Sequence, residues 1–276
     1  MGAALRRAAF AGSWYPRGAA AIALEVEGYL KAACPDALSG RLVGLVSPHA
    51  GLHYSGPVAA YGYSLLQGRE ATSVVLVGPS HRAAFEGVAV HASGAWQTPL
   101  GQVEVDAELA QALLDADGGL FDDPGLHRDE HSLEMQMPFL QQAMPGLRIV
   151  PMLMGTQSRE EVEALAGALT RVLPGREVLL VASSDLSHYQ PAPVASRLDA
   201  EVIGDVQRLD ADALMQRLET RDNVACGGGP LVAVMKAARA LGADQASVLR
   251  YADSGDAGGD KAQVVGYLSA VLSASA

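Results

Sequence analysis

Three apolar, strand-like runs in this 276-residue chain each deliver a histidine a few residues past their end. Arg41–Ser47 runs into Pro48 and His49, and Ser73–Gly78 into Pro79, Ser80 and His81. Val178–Ala182 runs into Ser183, Ser184, Asp185, Leu186, Ser187 and His188. In an open α/β sheet, ligands bind beyond the carboxyl ends of the strands. If the three runs are neighbouring parallel strands, three imidazoles and a carboxylate converge on one rim. The chain has only seven histidines, so spending three of them this way points to a metal centre.

The local sequences support that chemistry. In Ser47-Pro48-His49-Ala50-Gly51, proline fixes the exit from the strand and glycine permits a tight turn. Gly78-Pro79-Ser80-His81 repeats the design. Either histidine alone could simply hydrogen-bond its loop; the repetition favours ligation. Asp185 and His188 lie three apart. Asp185 could ligate, orient a histidine or cap the following turn. His188 could ligate, or act as a general acid and base. Cys226 sits in Ala225-Cys226-Gly227-Gly228-Gly229-Pro230, where glycines let backbone approach a ligand closely. A cysteine just before a helix start tends toward thiolate, a strong metal ligand; the alternative is a buried free thiol. Cys34, beside Pro35 at a helix end, reads as structural.

His127-Arg128-Asp129-Glu130-His131 matches the H-x-x-E-H peptidase pattern. That pattern needs one continuous helix, whereas Pro124-Gly125 precede it and the helix is expected to begin near Ser132. The peptidase reading is therefore set aside. His131 and Glu134 could still reach the site; His53 reads as structural, though near enough to His49 to line a pocket. His91 reads as structural.

The elements that must position these residues follow from hydrophobic period. Helices are expected at 18–33, 56–67 (with Pro57 at its first position), 107–115, 132–143, 158–172, 192–209, 211–218 and 230–241. Asp106 and Ser158 are their N-caps, the latter with Glu161 as a capping box. Strands are expected at 41–47, 73–78, 87–91, 147–152, 178–182, 247–252 and 262–271. Residues 94–105 read as a loop and hairpin, and 118–128 as irregular. Strands alternating with amphipathic helices predict a three-layer α/β/α sandwich around a mixed, mostly parallel sheet. The last two strands are expected to be antiparallel. With no repeat, linker or low-complexity run, residues 1–276 read as one domain.

Twenty basic against 31 acidic residues leave a net charge of −11. That argues against nucleic acid and anionic membrane as partners, since both need a basic footprint. The two cysteines lie far apart and do not suggest a disulfide scaffold, so a reducing compartment is expected. Residues 1–10 show no apolar signal core, and no run approaches a membrane span. A cytoplasmic protein is expected.

Several short motifs occur in a fixed order: Ser13-Trp14-Tyr15-Pro16, Pro48-His49-Ala50-Gly51, Gly78-Pro79-Ser80-His81, Glu130-His131-Ser132-Leu133-Glu134, Ser184-Asp185-Leu186-Ser187-His188 and Cys226-Gly227. Together they resemble the Memo family, whose microbial members are called AmmeMemoRadiSam system protein B. That family in turn is similar to the class III extradiol dioxygenases, non-haem iron enzymes. The resemblance implies His49, His81 and Cys226 as metal ligands, with Asp185 and His188 beside them. It also implies iron or copper redox chemistry, and AMMECR-type and radical-SAM proteins as partners. One departure matters: the dioxygenases use two histidines and a glutamate, whereas Cys226 stands where the glutamate would be. A thiolate softens the site and brings copper and zinc in beside iron.

Three functions compete on this sequence. The first is a mononuclear metal oxidoreductase in which His188 moves protons and Asp185 holds it in place. The second is a metal-free Cys226–His188–Asp185 hydrolase or transferase. The third is a non-catalytic module that keeps the pocket for a metal, small-molecule or peptide ligand.

Overall fold

Valines and leucines unbroken by polar residues make Ser73–Pro79 a strand that is buried along its whole length, as a strand covered on both faces must be. The computed structural model describes residues 5–69, 73–116 and 119–275. In chain order the elements are β1 (Leu5–Arg6), α1 (Ala19–Ala32), β2 (Arg41–Ser47), α2 (Leu52–Ser64), β3 (Ser73–Pro79), β4 (Val88–Val90), β5 (Ala95–Thr98) and β6 (Gly101–Glu104). Then come α3 (Ala107–Asp115), β7 (Leu120–Asp122), a 3-10 turn (Glu134–Gln136), α4 (Met137–Ala143), β8 (Arg148–Met154), α5 (Arg159–Val172), β9 (Val178–Ser183) and β10 (Asp185–Gln190). The chain closes with α6 (Ala192–Gln207), α7 (Ala211–Thr220), α8 (Gly228–Ala240), β11 (Gln245–Asp253) and β12 (Val264–Ala274).

The main sheet runs β10-β12-β2-β9-β3-β8-β4-β7, with β11 on the free side of β12. Alternate residues of β3 and β9 point to opposite faces, as the pleat requires. Val75, Val77 and Leu180 pack with α3, α5, α6, α7 and α8. Val74, Leu76 and Val181 pack with α1, α2 and α4. Helices on both faces of one sheet make the expected three-layer sandwich. Strands β2, β9, β3 and β8 are parallel neighbours. Antiparallel pairing at both flanks, β12 on β2 and β4 on β8, makes the sheet mixed. A mostly parallel sheet was expected; parallel pairing holds for the central four strands and for β7 on β4, and the strands that flank the centre reverse direction. The final pair, β11 and β12, is antiparallel as expected.

Other boundaries shift for physical reasons. Helix α2 begins at Leu52, whose N–H bonds Trp14 O, so Pro57 lies inside the helix instead of opening it. Ser132–Ala143 is a turn and a 3-10 segment before its α-helix. Ser158 caps α5 through Glu161 N, but the Glu161 carboxylate bonds Gln157 N, Thr156 Oγ1 and Gly87 N, so the capping box is only half formed. Within the stretch expected to be irregular, Gly118 lies outside the described residues, and Leu120–Asp122 pairs with β4 as a short strand.

Candidate metal centre

The order β2-β9-β3 makes the three histidine-bearing runs adjacent and parallel. Ser47 pairs with Ser183 at the ends of β2 and β9, and Ser184 N bonds Ser47 O. His49 and His81 leave the ends of β2 and β3 on either side of β9, and their rings lie 5.2 Å apart. Asp185 opens β10, which runs antiparallel to β12. Cys226 arrives from the α7–α8 connection. There Gly227 comes so close to the end of β9 that a Cβ would sit 2.3 Å from Ser183 O. That glycine therefore makes room for protein backbone where approach to a ligand was expected.

One ligand atom each from His49, His81 and Cys226 lie within 4.8 Å of one another. Hydrogen bonding fixes which nitrogen of each imidazole is free. The Ser183 hydroxyl donates its one proton to Ser132 O at 2.7 Å. Its oxygen then accepts from Gln136 Nε2 and from His49 Nδ1, both at 2.8 Å. His49 is thereby the Nδ1–H tautomer, and its Nε2 lone pair faces Cys226 Sγ at 3.1 Å. Tyr63 completes this buried network by donating to Gln136 Oε1. His81 Nδ1 lies 2.9 Å from Glu130 Oε1, which assigns the proton to Nδ1 and leaves Nε2 free. A second imidazole lone pair and a thiol complete a donor set suited to a transition metal.

Charges around the site follow from burial. Burial works to raise the Glu130 pKa, but the hydrogen bond from His81, with the Ser132 N–H, outweighs it and holds the pKa at about 2. Burial and the neighbouring His81 push His49 well below the ordinary imidazole value. Burial, with His49 next, lowers His131 to about 3. Burial raises Asp185 to about 6 against the His49 N–H it accepts. Burial and the Asp185 charge push the Cys226 thiol up, so the expected helix-start thiolate does not form by itself. A bound cation would supply the missing stabilisation of the thiolate.

The pocket has a volume of about 570 Å³ and is lined by His49, His81, His131, Asp185, His188 and Cys226, among others. His131 stacks on His81 with centroids 4.3 Å apart, and Trp14 packs on it at a tilt at the same distance. His188 Nδ1 bonds Leu186 O at 2.8 Å, so that carbonyl orients the ring in place of the expected Asp185. Two candidate pocket residues are placed elsewhere. His53 bonds Ala257 O and is not among the lining residues. Glu134 is buried and accepts from Arg6, Ala9 N, Phe10 N and Tyr15, pinning the N-terminal segment that carries Trp14. His127 and His131 share no helix, so the peptidase pattern lacks its geometry.

Sequence reasoning overlooked Glu130, Ser183, Gln136, Trp14 and Asn223. Glu130 carried a signal, a carboxylate directly beside His131 in the same motif. Ser183 and Gln136 carried none, because their role exists only in the folded network. Substituting Ser183→Ala or Glu130→Gln should weaken metal binding about 10–100-fold by releasing an imidazole. Equilibrium dialysis with zinc checks this; unchanged affinity in both variants would count against the tautomer assignment.

Fold and site together define an α/β/α sandwich carrying an imidazole–thiol cluster at the carboxyl rim of its parallel strands. A family model described as Memo-like protein matches residues 6–271. The chain belongs to the Memo-like family. A MEMO1 family protein from Methanothermobacter thermautotrophicus is 36% identical over 272 residues, covering 95% of this chain and 98% of the relative. One from Pyrobaculum aerophilum is 38% identical, covering 96% and 98%. The crystal structure of an uncharacterized Escherichia coli K12 protein matches with a TM-score of 0.59 and 16% identity, over 84% of this chain and 100% of that one. That likeness is one of fold. Among the described residues, no helix is long and apolar enough to cross a membrane.

Proposed function

We propose that this chain is a mononuclear metal-dependent oxidoreductase acting on a small molecule. His49, His81 and Cys226 hold the metal, with iron as the expected ion and copper or zinc the alternatives. The observation that carries this reading is the pinning of two imidazoles, each by its Nδ1–H, with one ligand atom from each and the Cys226 thiol all within 4.8 Å of one another. Once bound, iron or copper supplies a Lewis acid and a one-electron couple.

The chain's own groups do the rest. Asp185 accepts the His49 N–H and holds that loop against the strand ends. His188 has its Nδ1–H committed to Leu186 O, so Nε2 is the atom that accepts a proton from a pocket ligand. Ala50, Ala225 and Val265 give the pocket apolar wall. The hydrolase reading needs a Cys226–His188 contact; the polar contacts of Cys226 Sγ are instead with His49 and Asp185.

Oxygen uptake by the iron-loaded protein, screened over catechols, tests the reading. His188→Ala is expected to lower turnover about 10²–10⁴-fold while leaving iron content unchanged. Tight iron binding with no oxygen uptake by the unsubstituted protein would favour a binding module and overturn the oxidoreductase assignment.

A further inference from the structure

Tyr189 combines two properties that core packing does not explain. Its backbone lies in the left-handed region, with φ of 58°, where a bulky residue is a conformational outlier. Its side chain is also 70% exposed, so no apolar burial offsets the strain. A strained, exposed aromatic at a pocket is a starting point for a functional hypothesis.

The strain is imposed by a specific device. Asn223, itself at φ of 58°, clasps the preceding residue with both halves of its amide. His188 N donates to Asn223 Oδ1 at 2.8 Å, and Asn223 Nδ2 donates to His188 O at 2.7 Å. The ladder between β10 and β12 shifts register on both sides of His188. The chain is thus held at His188 and turned at Tyr189. The Tyr189 ring lies edge-on to the His188 imidazole, 5.7 Å between centroids, and lines the pocket.

The other large aromatic of the lining, Trp14, packs at a tilt on His131, 4.3 Å between centroids. No lysine or arginine lines the pocket among the described residues. At about 570 Å³ it has room for an organic body well beyond a diatomic or a water.

We propose that Tyr189 is the specificity-determining residue of this site and that it selects ligands carrying a flat apolar ring beside their metal-binding atom. The Asn223 clasp is the positioning device that holds it at the mouth. The Tyr189 face stacks on the ligand ring, so the contribution is dispersion and burial rather than hydrogen bonding. This inference rests on the metal reading above and adds the ligand's shape to it.

The test separates the two. Cobalt(II)-loaded protein is titrated with imidazole and with 4-phenylimidazole, following the visible spectrum of the metal. Both probes offer the same imidazole nitrogen, and only the second carries an additional, non-coordinating phenyl ring. The unsubstituted protein is expected to bind 4-phenylimidazole about tenfold more tightly than imidazole. Tyr189→Ala should abolish that preference. Tyr189→Phe should keep it, since the ring is retained, and Asn223→Ala should reduce it. A preference that survives in Tyr189→Ala, or is missing in the unsubstituted protein, overturns the proposal. Failure of the unsubstituted protein to take up cobalt overturns the metal reading, and this proposal with it.

Discussion

Replacing Glu134 by alanine is expected to destabilise the protein by about 3–5 kcal/mol and lower its melting temperature by roughly 10 °C. Glu134 and Arg6 form a 2.6 Å ion pair that is almost wholly buried. Arg6 also donates to His127 O and Glu130 O and lies 4.3 Å over the Trp96 ring. Deleting the carboxylate leaves a guanidinium, two backbone N–H groups and the Tyr15 hydroxyl without their acceptor. Unpaired buried donors and charge are among the costliest local defects. Glu134→Gln keeps one acceptor oxygen and the shape, and should cost less than the alanine change. Calorimetry on both variants checks the order. Because the anchored segment carries Trp14, Glu134→Ala should also increase protease cutting before Tyr15. A melting temperature within a degree or two of the parent would contradict the account of this hub.

The metal-free protein is expected to lose stability steeply as pH falls below about 6.5. Three buried histidines, His49, His127 and His131, are held neutral in the folded state. His127 is lowered from 6.5 to about 3 by burial first, then by His91 and Arg6, and His131 is lowered to about 3 as well. The unfolded chain binds these protons and the folded chain refuses them. Their contribution is therefore intact above about 6.5 and is lost as pH falls toward 3. Asp185, raised by burial to about 6, acts in the opposite direction between about 6 and 4, so the net loss is that of the three histidines less this one carboxyl. Glu130 acts in the same direction as the histidines at lower pH, its stabilisation fading as pH falls through about 2. Urea titrations between pH 7.5 and 5 measure the slope. His127→Gln, remote from the cluster of His49, His81 and Cys226, should reduce it by about one histidine's share. An unchanged slope in that variant would count against the buried neutral imidazole.

The strands and their histidines were legible because both signals are local. A continuous apolar run is how a doubly covered strand is written, and proline or glycine marks where it stops. That was enough to place His49, His81 and Asp185 at one rim once the strands proved adjacent. Strand order itself is a long-range property, set by which faces pack, and the mixed flanks follow from it. Glu134 and His53 show the limit. Both lie close in sequence to pocket residues, yet a 3-10 turn directs Glu134 toward Arg6, and helix α2 carries His53 toward Ala257. Neither direction is encoded in spacing alone. Glycines near Cys226 signalled a close approach correctly, but not what approaches. Asn223 stood out by nothing in the sequence, because a backbone clasp across 35 residues has no local signature.

Metal content is the most direct test of the central claim. Protein purified without a histidine tag would be reconstituted with iron under anaerobic conditions, desalted and analysed by mass spectrometry, beside His49→Ala and Cys226→Ser. The account predicts about one metal ion per chain in the unsubstituted protein and loss of that ion in both variants, with the fold retained by circular dichroism. Full metal content in either variant, or none in the unsubstituted protein, would contradict a centre built from His49, His81 and Cys226.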